Sequence, residues 1–393
     1  MDQQLDTGTA YGRQTPTHDA ILTEVGPGTP MGEVMRRYWH PIALSQDATA
    51  TPKQVRVLGE DLILFRDKQG RVGLLYPRCA HRGTSLYFGK VEDDGIRCCY
   101  HGWKFSADGH CLDQPCEPER GATHRDRIRQ PWYPVQERYG LIFAYMGPAD
   151  KKPVLTKYEP IEVLADDEEI FARQIGFGAG GPAVVPCNWL QYFENVCDPY
   201  HVPILHVAFS GPQFPEELGV MPDVSWDYTD RGVRITSSRD AENNKRFDRV
   251  SETIIPTIRV IPDPFLGEFG RIQSVGWTLP IDDTHFTVFV AQRRKKDPSK
   301  IPPRRPQGKR WDDLTPEERR EFPNDWEAQV SQGPINLHSE EHLASTDRGV
   351  GRLRRLLRLQ IKSLENGEDP MNVFFDESKS VLPLEAGNHL NDK

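Results

Sequence analysis

The sequence predicts an α+β protein in two parts: a compact all-β unit, then a larger unit combining helices with an antiparallel sheet. Three observations carry that expectation. The chain has 393 residues, enough for two domains at roughly 100–200 residues each. Between Val55 and Tyr145, short β-rich runs (VRVLG, LILFRD, GLLYP, GIRCCYH, GLIFAYM) alternate with turn signals at Asp67–Gly70, Asp93–Gly95 and Ala107–Gly109, the rhythm of an all-β unit. Beyond Gly147-Pro-Ala-Asp-Lys-Lys-Pro153, helical and strand periods occur together.

Taken in order, residues 1–19 are polar and lack the apolar stretch of a signal peptide. Residues 20–45 predict a short helix and an extended entry, opened by Pro-Gly turns at 27–30. The domain divisions expected are therefore 1–45, 46–150 and 151–393. In the last, Arg271–Leu279 and His285–Arg293 are β-rich runs joined by Pro-Ile-Asp-Asp-Thr, a hairpin signal. Lys295–Pro323 is basic and Pro-rich, which predicts a surface excursion. Leucines at helical spacing from Leu353 to Leu364 predict a helix ending near Asn366-Gly367. Its arginines, Arg352 to Arg358, are expected on a solvated face, with a docking patch for an acidic electron donor as the alternative.

Composition narrows the function. Lys plus Arg is 49 against Asp plus Glu 58, a net charge of −9, which argues against nucleic acid held by bulk charge. No apolar run approaches the roughly 18 residues of a membrane helix, so no membrane association and a cytoplasmic location are expected. Seven cysteines is an odd number, and in a reducing compartment a disulfide framework is not expected. Five of them (Cys79, Cys98, Cys99, Cys111, Cys116) fall within 38 residues. Thiols crowded in this way point to a metal.

The first metal motif is Cys79-Ala-His81 followed by Cys98-Cys-Tyr-His101. Two Cys and two His suit structural zinc, but zinc fingers place two to four residues between paired ligands. One residue separates Cys79 from His81. In a Rieske [2Fe–2S] centre each loop supplies one thiolate and one imidazole; the thiolates take one iron and the imidazoles the other. Gly83 and Gly102 let backbone amides approach the sulfurs, and Trp103 can shield the cluster from water. Cys98 is taken as the ligand, Cys99 as a buried free thiol, and Cys111 and Cys116 as packing residues.

The second motif is Asn195-Val-Cys-Asp198-Pro-Tyr-His201-Val-Pro-Ile-Leu-His206. Two His with a carboxylate supplied from elsewhere suggest the facial triad of non-haem Fe(II) oxygenases. Asp347, just before the leucine helix, is the expected third ligand, with Glu340, Glu341 and His342 as rivals. Two other spellings are decoys. Gly176-Phe-Gly-Ala-Gly-Gly181 matches GxGxxG but runs into Pro182 rather than a helix. His338-Ser-Glu-Glu-His342 matches an inverted zinc-protease motif, against which the stronger iron motif weighs.

With both motifs in one chain, the sequence resembles the Rieske non-haem iron ring-hydroxylating oxygenases over nearly its whole length. Gly26 to Pro41, Asn188-Trp-Leu-Gln191 and Glu341-His-Leu through Asp347 are similar to the phthalate-dioxygenase branch. Leu58 to Asp67 and Cys98-Cys-Tyr-His-Gly-Trp-Lys-Phe105 are most similar to the dehydrodivanillate O-demethylase group. One departure is Cys99, where many relatives carry Pro. The resemblance implies a Rieske β-sandwich plus a catalytic domain with an antiparallel sheet flanked by helices. It implies a [2Fe–2S] cluster on Cys79, His81, Cys98 and His101, and a mononuclear non-haem Fe(II) on His201, His206 and Asp347. Asp198 resembles the family's bridging carboxylate, which implies a link between a cluster His of one subunit and an iron His of the next in a head-to-tail homotrimer, and Asn195, one helical turn before it, is expected to border the iron pocket. Electrons would come from NAD(P)H through a reductase, with or without a ferredoxin. The expected reaction is O-demethylation of a methoxylated lignin-derived aromatic acid, releasing formaldehyde. Ring dihydroxylation of an aromatic carboxylate such as phthalate is the alternative, and a Rieske electron-transfer protein is the reading from another class.

Overall fold

A computed structural model describes residues 14–117, 121–177, 180–209, 213–267, 269–297, 299 and 311–392. Thr29 caps the short helix Pro30–Met35, its hydroxyl accepting from the Gly32 amide at 3.2 Å. The next strand, Trp39–Leu44, pairs antiparallel with Leu141–Tyr145, which pairs in turn with Val135–Arg138. The entry segment is thus tied to the far end of the first unit.

Two further antiparallel sheets complete that unit. One orders Lys53–Val57, Glu60–Arg66 and Val72–Leu75; the other orders Lys90–Val91, Ile96–Arg97, Lys104–Phe105 and Cys111–Asp113. Alternation along Glu60–Arg66 sends Ile63 and Phe65 into a small core with Leu75, Leu86, Ile96 and Phe105. Cys79 and Cys98 are buried at the edge of this core.

The second unit is built on an antiparallel sheet. Its main path runs Glu168–Ile175, His285–Lys295, Ser274–Asp282, Ile258–Val260, Lys245–Ile254, Gly232–Ala241 and Asp223–Tyr228. Ser274–Asp282 and His285–Lys295 form the expected hairpin, continuous from the Asp282↔His285 pair to Ser274↔Gln292 apart from one bulge. Gly387–Asp392 adds to the first half of Lys245–Ile254, and Ile258–Val260 to its last residues.

Helices cover this sheet. In Arg348–Glu365, Leu353, Leu356, Leu357 and Ile361 are buried, the spacing of an amphipathic helix. Gly367, at φ +80°, follows its end. Its arginines do not all face solvent, contrary to the sequence expectation. Arg354 is buried, pairing with Glu194 (2.5 Å) and Glu341 (2.5 Å) and so tying this helix to Trp189–Asn195. Arg358 reaches Asp19. Among the described residues no helix is long and apolar enough to cross a membrane. Of the GxGxxG spelling, Gly178 and Ala179 lie outside the described residues, as do residues 300–310 of the basic excursion.

Candidate metal centres

The two cysteine loops fold alike because each places a glycine four residues after its cysteine. The Gly83 amide donates to the Cys79 carbonyl (2.8 Å) and the Gly102 amide to the Cys98 carbonyl (3.1 Å), with φ of +75° and +73°. A residue with a Cβ is strained at those angles, and a Cβ at Gly102 would lie 2.8 Å from Pro115. Closing the loops, the Cys79 amide donates to Thr84 and the Cys98 amide to Trp103. The result sets Cys79 and Cys98 inside, and the His81 and His101 rings together, centroids 4.5 Å apart. Trp103 stacks flat on His81 at 4.4 Å with an interplanar angle of 6°, the shielding position expected of it.

Those residues fit a two-iron cluster chemically. Burial pushes the Cys79 thiol up to about 11, so a thiolate there requires a cation beside it. Cys99 does not behave as expected: it is exposed rather than buried. Cys111 is buried, whereas Cys116 is exposed, with its sulfur 3.8 Å from the His101 carbonyl.

The second centre is assembled from three segments. Asn188 caps Trp189–Asn195 through a capping box with Gln191, and its Nδ2 donates to the Thr23 and Asp283 carbonyls at 2.9 and 2.6 Å. The Gln191 amide donates to the Gln329 and Gly333 carbonyls, joining this helix to Asp325–Val330, itself capped by Asn324 with Glu327. The third segment is a π-helix, Val202–Phe209. In an α-helix residues five apart are turned away from each other by roughly 140°, whereas i→i+5 bonding brings them over one another. That winding lets His201 and His206 face one point, ring centroids 5.3 Å apart.

The carboxylate at that point belongs to Asp325. His206 Nε2 lies 3.4 Å from Asp325 Oδ2 and His201 Nε2 3.8 Å from Oδ1. Ligand atoms of these three residues all fall within 4.8 Å of one another. Each imidazole turns its other nitrogen to an acceptor: His206 Nδ1 meets Gln213 Oε1 at 2.8 Å, and His201 Nδ1 meets the Asp198 carbonyl, with Asp198 Oδ2 at 3.6 Å. A proton held on Nδ1 leaves the Nε2 lone pairs for a metal. Burial would raise the Asp325 carboxyl, but the neighbouring His206 and His201 and the Asn195 amide (3.2 Å) hold it well below the usual carboxylate range. The arrangement favours positive charge between the two rings and the carboxylate.

Asp347 is not at this centre. It stands at the start of Arg348–Glu365, and its Oδ2 accepts from the Ala344 amide at 2.7 Å. The rival Glu341 is engaged by Arg354 and Asn336, while Glu340 and His342 are outside the Asp325 cluster. Asp325, like Asp347, stands at a helix start, but it comes just after the stretch expected as a surface excursion. Asn195 does border the centre, its amide 3.4 Å from His201 Nε2. Asp198 lies beside His201, and its other oxygen accepts from the Tyr200 amide at 2.9 Å. Gln213 was missed, having no spacing signal in the sequence.

Comparison with known proteins gives the family. Residues 38–134 match the Rieske [2Fe-2S] domain family. The chain is 49% identical over 386 residues to a phenoxybenzoate dioxygenase subunit alpha of Ectopseudomonas oleovorans, covering 97% of this chain and 94% of that protein. It is 34% identical over 387 residues to the 5,5'-dehydrodivanillate O-demethylase oxygenase subunit of a Sphingobium strain, covering 92% and 84%. With the phthalate 4,5-dioxygenase oxygenase subunit of Pseudomonas putida it shares 29% identity over 408 residues, covering 91% and 89%. Among solved structures, Pseudomonas putida CBB5 NdmA (a QL mutant with caffeine) has the same fold, with a TM-score of 0.62 at 18% identity over 86% of this chain and 94% of that one. The chain belongs to the Rieske non-haem iron aromatic-ring oxygenases, as a terminal oxygenase component whose cofactors are a [2Fe–2S] cluster and a mononuclear non-haem iron.

Proposed function

We propose that this oxygenase inserts oxygen at an ether-bearing carbon of an aromatic acid, with Cys79, His81, Cys98 and His101 holding the cluster and His201, His206 and Asp325 the single iron. The observation that carries the reading is the convergence of both Nε2 atoms on the Asp325 carboxylate. A triad of two His and one carboxylate leaves coordination positions open. The chemistry these groups supply when bound is one-electron storage at the cluster and oxygen activation at the iron.

The chain's own residues set the conditions. Trp103, flat against His81, would keep water from that side of a cluster held there. Phe214, 4.5 Å from the His206 ring and 5.9 Å from Phe265, makes a dry wall beside the iron site. His201 hydrogen bonds and charge offset the burial of Asp198 and hold its carboxyl below the usual range. It is therefore an ionised acceptor for an imidazole N–H, partly open to a neighbouring subunit in a head-to-tail trimer. The tight hold of Gln213 on His206 fixes the second imidazole.

Substrate support comes from the relatives: phenoxybenzoate is an aryl ether and dehydrodivanillate carries methyl ethers, and both are aromatic acids. On a methyl ether, a hydroxyl placed on the methyl carbon gives a hemiacetal that collapses to a phenol; on a diaryl ether, both atoms of O2 placed on the ether-bearing ring carbon and its neighbour, with NAD(P)H and a proton supplying two electrons and two hydrogens, give a hemiketal diol that releases a phenol and rearomatises to a catechol. For a methyl ether, O2 and NAD(P)H with one proton yield the phenol, formaldehyde, water and NAD(P)+. Ring dihydroxylation is the second reading, favoured by the dioxygenase named at 49% identity. Oxygen uptake with 3-methoxybenzoate and 3-phenoxybenzoate and a surrogate reductase separates them: formaldehyde marks demethylation, two ring fragments mark aryl-ether attack, and a cis-diol marks dihydroxylation. Uptake with neither acid refutes the reading.

A further inference from the structure

Arg259 lies in the strand Ile258–Val260, opposite Thr253 on one side and Gly276 on the other. Paired positions in neighbouring strands share a face. Thr253 Oγ1 meets Cys197 Sγ at 3.6 Å, so this face looks toward the segment that carries Asn195, Asp198 and His201. The arginine stem runs flat over Gly276, where a Cβ would come within 3.0 Å of Nε and 3.1 Å of Cγ. A side chain at 276 would crowd the arginine, which would have to shift by a few tenths of an ångström.

The charge itself is unspent. Arg259 Nε is buried with no hydrogen-bond partner among the described residues. Among the described residues Arg259 forms no ion pair; its recorded neighbour is the Tyr192 ring, 5.3 Å from Cζ. Other arginines of the unit have acceptors: Arg354 is paired with Glu194 and Glu341 and Arg231 with Glu252, while Arg239 donates to the Val220 carbonyl and Arg249 to the Asp263 and Pro262 carbonyls. A half-buried cation left without an anion costs free energy unless a ligand supplies one. The iron centre is close by. Tyr192 is one turn before Asn195 in the same helix, and its hydroxyl feels the charges of both Arg259 and Asp325. From Asp325 an aromatic chain, Trp326 to Phe177 to Tyr192, leads back to Arg259.

We infer that Arg259 is the specificity residue that receives the substrate's carboxylate, held by Gly276 and Tyr192 so that the ring of an aromatic acid extends toward the iron centre. This rests on the proposed reading that the substrate is an aromatic acid. A planar guanidinium suits the two oxygens of a carboxylate, which an ammonium engages only as a point charge.

The test uses iron-replete holoenzyme, wild type and the variants Arg259→Met and Arg259→Lys. Oxygen uptake is measured with 3-phenoxybenzoate and with its neutral primary amide, and binding of 3-phenoxybenzoate is measured by calorimetry without reductant. Arg259→Met is expected to lower the acid-to-amide ratio of kcat/KM by about ten- to a hundredfold, with Arg259→Lys intermediate. The loss should reside in KM and in the calorimetric Kd, with iron content equal to wild type. A ratio that stays within twofold of wild type overturns the assignment, whatever happens to overall activity. Should wild type bind the acid without oxygen uptake, the ether-cleavage reading fails while the Kd comparison still decides the role of Arg259. Should wild type not bind the acid at all, the carboxylate role is overturned.

Discussion

Replacing Asp325 by alanine should empty the mononuclear site while sparing the cluster. Its carboxylate oxygens sit 3.4 and 3.8 Å from the two imidazole nitrogens, and no other carboxylate among the described residues joins that group. Loss of an outer partner of a metal ligand typically costs 10–100-fold in affinity, so loss of the ligand itself should cost at least about 100-fold, or about 2.7 kcal/mol. Cys79 and Cys98 belong to a separate apolar core, so the visible spectrum of the cluster should persist. Iron analysis should fall from about three to about two per chain, the two-plus-one complement of cluster and single iron. Asp347→Ala removes the bond from the Ala344 amide (2.7 Å), worth about 0.5–1.5 kcal/mol, and should keep its iron. Full iron in Asp325→Ala together with a missing iron in Asp347→Ala would refute the assignment.

Three further outcomes follow from the same contacts. Gln213→Leu removes the acceptor from His206 Nδ1 and should weaken iron binding by about 10–100-fold in chelator competition, with the cluster spectrum unchanged. Arg354→Met leaves Glu194 and Glu341 facing each other without their cation. Burial already pushes the Glu194 carboxyl up to about 6, and breaking such a pair costs about 3–5 kcal/mol, to be seen as a lowered denaturant midpoint. Asp198→Asn should retain both metals yet slow substrate-dependent oxygen uptake severely, because an amide at that position no longer offers an ionised acceptor to His201; uptake near wild type would rule out its bridging role.

The residues proposed to hold the cluster can be read from the sequence because their spacing is local: a cysteine, a histidine two or three positions on, and a glycine four positions after each cysteine, all within one short stretch. The two histidines proposed for the iron can be read for the same reason. Asp325 cannot be, because what brings it in is the joint of Gln191 with Gln329 and Gly333, contacts across some 140 positions of chain. Arg354 misled in the same way, since a helix pattern marks which residues are apolar but not which charge has a buried partner on another helix. Cys99 shows the limit at the smallest scale: its neighbour Cys98 is buried, and at the turn of a tight loop adjacent side chains point apart.

The π-helix Val202–Phe209 also bears on how this segment can change over time. Side chains along it can be exchanged without altering where the histidines point, because their direction is set by the winding. Removing one residue between them would restore ordinary helical spacing for a pair four apart, and a deletion or insertion before Phe209 would shift Gln213 relative to His206, its partner on both backbone and side chain. The segment is therefore free in composition and rigid in length. Variation among descendants of this chain should accumulate here as substitutions rather than as gaps.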